Sequence, residues 1–135
     1  MSIMRKNRSL LTILLLALLL VPMLTMTANA SEKRWYEFHF KETDNTITAN
    51  KSDYSYSAGV SVWEGSEFNN GNVRFQLFRP SDHNPMSYES DRVYGVTSSC
   101  PVYYFSSLKF NGDMDVMMEG HGYNGMLSAK GNFVP

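Results

Sequence analysis

Four side chains near the C-terminal end of the chain could bind a metal ion. Asp113, Asp115, Glu119 and His121 lie within nine residues, and calcium prefers several carboxylate and carbonyl oxygens. Their order lacks the Asp-x-Asp-x-Asp-Gly spacing and the distal Glu of a calcium loop. If residues 113–119 form a strand, Asp113 and Asp115 share its solvent face, and Glu119 and His121 lie too far along to converge with them. We therefore predict a solvated surface here, with no metal and no other cofactor.

Zinc would need three or four His, Cys, Asp or Glu ligands at close spacing. The sequence instead scatters single candidates along the chain, at His39, His83, Cys100 and His121. Histidines on solvent faces or in loops explain this pattern better. Cys100 is the only cysteine and has no neighbouring base, so we predict a small buried hydrophobe. If its thiol is exposed, it could link two copies of the chain.

Hydrolytic chemistry has little support in the sequence. There is no Gly-x-Ser-x-Gly elbow and no Gly-rich phosphate loop. A glycosidase needs two carboxylates across a sugar cleft, and nothing selects such a pair among 13 acidic residues. A small secreted hydrolase is therefore the last of our functional hypotheses.

Aromatic side chains are the more informative feature, because many fall on outward strand positions or in loops. Aromatic rings anchor protein interfaces and can stack on sugar rings. We predict that the Tyr54–Tyr56 pair and Trp63 form the binding surface, while about half of the outward aromatics pack under loops. The full set is Trp35, Tyr54, Tyr56, Trp63, Phe78, Tyr88 and Tyr103.

The residues after position 30 alternate between apolar and polar in short runs separated by Gly, Asn, Asp, Ser and Pro. This period of two is typical of antiparallel strands with one buried face. We predict an all-β fold, a single antiparallel β-sandwich of about seven or eight short strands, with a small β-barrel as the alternative. The predicted strands cover residues 35–40, 46–49, 58–64, 73–77, 92–97, 102–110, 114–118 and 126–133.

Turn residues suggest how these strands connect. Asn70-Gly71 predicts a hairpin loop across residues 65–72, and Asn111-Gly112 predicts a hairpin between residues 102–110 and 114–118. Ser98 to Pro101 should break a strand. Gly120, Gly122 and Gly125 should form a flexible corner.

The first thirty residues resemble a secretory leader. Basic residues come first, an apolar run covers Leu10 to Val21, Pro22 ends it, and Ala28-Asn29-Ala30 provides a small-residue cleavage site. We predict a cleavable helical signal peptide over residues 1–30 and cleavage after Ala30, which makes Ser31 the new N-terminus of a domain over residues 31–135. An uncleaved membrane anchor is the alternative, since Leu10 to Met26 lies at the lower edge of a spanning length.

Cleavage changes the charge of the working protein. Three of the 12 Lys and Arg residues lie in the leader, so nine remain against 13 acidic residues and the net charge becomes −4. Nucleic-acid binding needs clustered Lys and Arg, so this acidic surface argues against it. We expect a secreted or envelope-associated monomer without membrane insertion after cleavage. A single cysteine also suits an export route without disulfides.

Three features together resemble a group of small exported Gram-positive proteins of uncharacterised function. They are the leader at residues 5–30, the alternating strand Tyr36-Glu37-Phe38-His39-Phe40, and the ending Gly131-Asn132-Phe133-Val134-Pro135, with Phe133 where the group has Trp. The resemblance implies a small bacterial β-sandwich, and some members look bacteriocin-associated. It defines no functional residues.

The leading functional hypothesis is an exported, non-enzymatic binding module. Its exposed aromatics and the loops at 50–57, 65–72 and 79–91 would contact a protein, a cell-wall glycan or a small peptide. The alternative is a bacteriocin-like effector, or its partner, in competition between bacteria.

Overall fold

The computed structural model describes residues 31–42, 44–105 and 113–135. These ranges form seven strands and no helix. The strands are β1 (Arg34–His39), β2 (Thr46–Lys51), β3 (Ser57–Val62), β4 (Asn72–Phe78), β5 (Thr97–Tyr103), β6 (Met114–Tyr123) and β7 (Ser128–Val134). The predicted leader lies outside the described residues and stays a prediction.

The strands form two antiparallel sheets. One has four strands in the order β1-β7-β3-β5, and the other has three in the order β2-β6-β4. This confirms the all-β prediction of two antiparallel sheets, and the described strands do not close into the alternative barrel. Both sheets turn alternate residues towards one shared core, as the period of two requires.

Tyr36 links the two sheets at the centre of this core. Its ring meets that of Phe75, on the opposite sheet, at a centroid distance of 5.8 Å and near-perpendicular geometry. Its hydroxyl donates a hydrogen bond to the Ser61 carbonyl at 2.7 Å, which satisfies a phenol that is only 1% exposed. Burial raises the pKa of Tyr36, because the charged phenolate is disfavoured there.

The hairpin predicted at Asn70-Gly71 is wrong. β3 pairs with β5 and β7, whereas β4 pairs with β6 in the other sheet, so residues 63–71 carry the chain from one sheet to the other. Asn69 and Asn70 do adopt the positive φ angles of a turn, 45° and 61°. Their turn chemistry therefore reverses the chain locally without determining which strands pair.

The second predicted hairpin is also wrong. Val102 pairs with Ala58 in the four-stranded sheet, and Met118 pairs with Ile47 and Leu77 in the three-stranded sheet. Residues 106–112, including Asn111-Gly112, lie outside the described residues.

The predicted strand at 92–97 and the break after it are displaced. Residues 92–96 make only one isolated bridge, from Val93 to Val73, and the strand begins at Thr97. Ser98 to Pro101 lie inside β5 rather than breaking it. Pro101 is tolerated because β5 is an edge strand, where a missing N–H need not disturb the ladder.

Two of the three glycines predicted to form a corner lie inside a strand. Gly120 and Gly122 belong to β6. A Cβ built on Gly120 would lie 2.5 Å from the Phe38 ring, and one built on Gly122 would lie 2.6 Å from the Phe40 ring. Their missing side chains thus leave room for two rings of β1 and the turn after it. Gly125 does lie in a turn, with a φ of 89°.

The long loop after β4 runs back along the open edge of that strand. The backbone N–H groups of Met86 and Ser90 donate to the carbonyls of Leu77 and Phe75, at 2.8 and 2.7 Å. In return, the Ser87 and Ser90 hydroxyls accept from the N–H groups of Leu77 and Phe75, both at 2.9 Å. The loop therefore covers the edge of β4 and lies beside the outer face of the three-stranded sheet.

Candidate functional site

The structure separates the aromatic residues predicted to act together. Trp63 follows β3 directly and is 38% exposed, whereas Tyr54 and Tyr56 precede β3 and are 71% and 87% exposed. At a rise of about 3.3 Å per residue, the length of β3 places the two groups roughly 20 Å apart. They form two surfaces, and Trp63 lies beside a cavity.

That cavity is a trough of about 640 Å³ on the outer face of the four-stranded sheet. We call it the sheet trough. Its floor contains Gly59 and Ser61 of β3, and a Cβ built on Gly59 would meet no atom within 4 Å. A ligand can therefore approach the backbone of β3 closely. The lining residues are Lys33, Gly59, Val60, Ser61, Val62, Trp63, Glu64, Val96, Thr97, Ser98, Ser99, Asn132 and Val134.

The sheet trough combines one aromatic wall with many small polar groups. Ser61 accepts a hydrogen bond from the Asn132 N–H at 2.8 Å, which ties β3 to β7 along the floor. Asn132, Thr97 and Ser99 also line it. Hydroxyl and amide groups both donate and accept hydrogen bonds, so this lining suits a ligand rich in hydroxyls.

A second tryptophan lies on the same sheet face. Trp35 takes an outward position in β1, pairs with Asn132 and is 54% exposed. The Trp63 N–H donates to the Lys130 carbonyl, two residues from Asn132 along β7. Strand spacing therefore puts the two tryptophans roughly 12 Å apart. Alternation in the sequence already placed Trp35 outward, but only the sheet order shows that it shares a face with Trp63.

A second cluster lies on the outer face of the three-stranded sheet and joins two histidines that the sequence keeps apart. We call it the histidine–glutamate network. His83 Nε2 lies 2.8 Å from Glu119 Oε2, and Glu119 Oε1 lies 3.1 Å from His121 Nε2. His121 Nδ1 lies 3.1 Å from Glu89 Oε1. The expectation that these histidines are scattered singly is therefore wrong for His83 and His121.

Glu89 connects this network to two further side chains. The Tyr123 hydroxyl donates to Glu89 Oε1 at 2.7 Å, and Arg74 donates to Oε2 at 3.3 Å. Burial would raise the pKa of Glu89, but hydrogen bonds from Tyr123, His121 and Arg74 outweigh it and hold the pKa below its usual range. The pKa of Glu119 is also lowered: burial would raise it, but hydrogen bonds from His83 and His121 outweigh that effect.

The four metal candidates divide into two groups. Asp113 and Asp115 are exposed, and Asp115 accepts a long hydrogen bond from Asn50 at 3.5 Å. Glu119 and His121 join the network instead. Across residues 31–42, 44–105 and 113–135, no group of three or more His, Cys, Asp or Glu side chains is arranged to hold a metal.

The other titratable candidates lie elsewhere. His39 faces Glu37 on β1 at 3.6 Å, and Cys100 is buried on β5. Burial raises the pKa of the Cys100 thiol despite a hydrogen bond with Ser90. Glu89 and Tyr123 were missed by sequence reasoning. The alternation of β6 puts Tyr123 on the same face as Glu119 and His121, but no local pattern brings Glu89 to them.

Comparison with protein-family models, curated proteins and solved structures finds no match for this chain. Within the part of the chain that the structure describes, no helix is long and apolar enough to cross a membrane.

Proposed function

We propose that this protein is an exported, non-enzymatic binding module that holds a glycan in the sheet trough. The predicted leader, with its cleavage site after Ala30, supports export, and the resemblance to small exported Gram-positive β-sandwich proteins is part of the same proposal. The single observation that carries the binding function is the trough itself, where Trp63 stands beside a floor of glycine, serine and asparagine on an open sheet face.

Each part of this surface matches the chemistry of a sugar. A pyranose ring presents C–H groups on its faces, which pack on an indole, and hydroxyls around its rim, which exchange hydrogen bonds with side chains. The open floor at Gly59 gives a flat ring room to lie against the sheet. Trp35, on the same face, would contact a neighbouring sugar of a longer chain.

Other ligands fit this surface less well. Lys33 and Glu64 carry opposite charges, so the lining has no excess of one sign that would select a polyanion. An extended peptide adds to a sheet through the free edge of a strand, whereas the trough lies across the sheet face, over paired strands. A glycan needs neither a free edge nor a net charge.

Sedimentation with protein-free bacterial peptidoglycan tests the proposal. Trp63→Ala removes the aromatic wall and should weaken binding by about 1–2 kcal/mol, roughly 5–30-fold. Gly59→Leu fills the floor and should abolish binding while the protein stays folded, because the position has open space. Tyr56→Ala is the matched control, since it removes an aromatic that is 87% exposed and remote from the trough.

Two results would overturn the proposal. The first is that peptidoglycan fails to sediment the unaltered protein. The second is that Gly59→Leu and Trp63→Ala bind it as tightly as the control Tyr56→Ala does. Either result would show that the trough is not a glycan site. Digestion with an amidase that removes the stem peptides separates the two parts of the polymer: binding to the stripped glycan should persist. Its loss would identify a peptide as the ligand.

A further inference from the structure

The histidine–glutamate network joins the long loop after β4 to the outer face of the three-stranded sheet. Two of its members, His83 and Glu89, lie on the loop, and two, Glu119 and His121, lie on β6. Each loop member contacts a β6 member, at 2.8 Å for His83 with Glu119 and 3.1 Å for Glu89 with His121. Opening this part of the loop must therefore break both contacts.

The hydrogen-bonding capacity of His121 makes these contacts depend on a proton. Both ring nitrogens of His121 face carboxylate oxygens, Nδ1 towards Glu89 and Nε2 towards Glu119. An ionised carboxylate only accepts hydrogen bonds, and a neutral imidazole has a single N–H to donate. The observed pair of contacts is therefore complete only when His121 is an imidazolium. Loss of its proton leaves one nitrogen lone pair facing a carboxylate.

Charged and titratable groups of β4, β6 and the loop surround this arrangement. From β4, Arg74 contacts Glu89 at 3.3 Å, and from β6 the Tyr123 hydroxyl contacts it at 2.7 Å. The Arg92 guanidinium lies 5.9 Å from the centre of the Tyr123 ring. Within the loop, Arg79 forms an ion pair with Asp82 at 3.2 Å, and Asp82 directly precedes His83. The His83 ring stacks on the Phe78 ring at a centroid distance of 4.3 Å. Thr46 of β2, which pairs with Glu119, is uncharged.

We propose that the histidine–glutamate network is a pH-dependent clamp that closes residues 79–89 on the three-stranded sheet in mildly acidic solution and loosens as His121 loses its proton. This property goes beyond the proposed glycan binding and does not depend on it. Histidine changes charge between about pH 5 and 8, a range that an exported protein meets as its surroundings acidify.

The clamp has a lower limit as well as an upper one. Burial opposes the ionisation of Glu89 and Glu119, but their hydrogen bonds lower both pKa values in the folded protein. Their contribution is therefore present above the usual glutamate pKa and disappears as pH falls through the lowered values. The contacts of His121 set the upper limit, because both are complete only while both of its ring nitrogens carry protons. Loop closure should be strongest between these limits.

Amide hydrogen exchange of the purified protein tests the clamp, with rates corrected for the intrinsic effect of pH. Protection of the amides at residues 83–89 should fall roughly threefold to tenfold from pH 5.5 to pH 8, as expected for partly exposed ion pairs. His121→Gln can still donate one hydrogen bond but carries no charge, so it should remove this pH dependence. His39→Gln, which changes a histidine of β1 in the other sheet, should leave it intact.

Core amides of β3 and β7 provide the internal reference. They should keep their protection over the same pH range, because the clamp acts on the loop alone. The inference is overturned if the loop amides show equal protection at both pH values, if His121→Gln retains the pH dependence, or if the core amides change in parallel with the loop.

Discussion

Replacing Gly120 by alanine tests how the two sheets pack together. A Cβ at this position would lie 2.5 Å from Cδ2 and 2.8 Å from Cε2 of Phe38, whereas ordinary contact begins at 3.4 Å. The ring must therefore move by roughly 1 Å. Phe38 is only 3% exposed and packs on Tyr36 at a centroid distance of 4.8 Å, so it has little room to move.

The expected loss of stability follows from two opposing effects. Overpacking of a close-packed core costs about 1–3 kcal/mol. Alanine also restricts the unfolded chain, which returns about 0.4–1 kcal/mol. Gly120→Ala should therefore lower the free energy of unfolding by about 1–2 kcal/mol, measured by urea denaturation with circular dichroism. For a domain of this size, such a loss lowers the melting temperature by roughly 4–16 °C.

Two other glycines provide matched comparisons. Gly122→Ala meets the Phe40 ring at 2.6 Å, but Phe40 is only partly buried and can rotate towards solvent, so the loss should be smaller than at Gly120. Gly59→Ala enters open space and should leave stability unchanged or raise it by about 0.4–1 kcal/mol. If Gly120→Ala proves as stable as Gly59→Ala, the packing of Phe38 on β6 is not as described.

Two further substitutions address polar groups in and near the core. The fully buried Lys51 ammonium contacts Asp53 at 2.8 Å; burial opposes the ionisation of Asp53, but hydrogen bonds from Lys51 and Ser55 lower its pKa from 3.8 to about 2. This contribution to stability is present above pH 3.8 and is lost as pH falls towards 2. Asp53→Asn should therefore lower the free energy of unfolding by about 1 kcal/mol at neutral pH, after allowance for solvent screening. It should also flatten the acid-unfolding curve between pH 3.8 and about 2. Tyr36→Phe should cost about 0.5–1.5 kcal/mol in urea denaturation, because the Ser61 carbonyl loses its donor. Equal stability of Tyr36→Phe and of the exposed control Tyr56→Phe would contradict that hydrogen bond.

Local periodicity predicted the strands better than it predicted their partners. The alternation around Tyr36 and Phe38, and around Val60, places these side chains inward as expected. The boundaries failed where composition misled: Pro101 reads as a strand breaker but lies in an edge strand, and Gly120 reads as a corner but lies in β6. In both cases the decisive contact comes from outside the segment, from the sheet edge or from the Phe38 ring.

The candidate sites divide in the same way. Trp63 was predicted to be on the surface from its outward phase, and it does line the sheet trough. Its distance from Tyr54 and Tyr56 follows from the length of β3, and the sequence pattern already indicates a strand between them. The histidine–glutamate network could not be predicted, because it joins residues 83, 89, 119 and 121 through the return of a loop along β4.

The sequence by itself therefore determined an all-β fold for the part of the chain that the structure describes, the inward and outward faces of its strands, and the absence of any pair of cysteines. These properties depend on the period of two, which backbone geometry imposes within each strand. Only the tertiary structure decided that β3 and β4 belong to different sheets, that the glycines of β6 receive the rings of Phe38 and Phe40, and that two histidines share Glu119. Packing between distant segments makes these choices. Closing a long loop costs only slightly more entropy than closing a short one, so closeness in the sequence does not decide which strands pair.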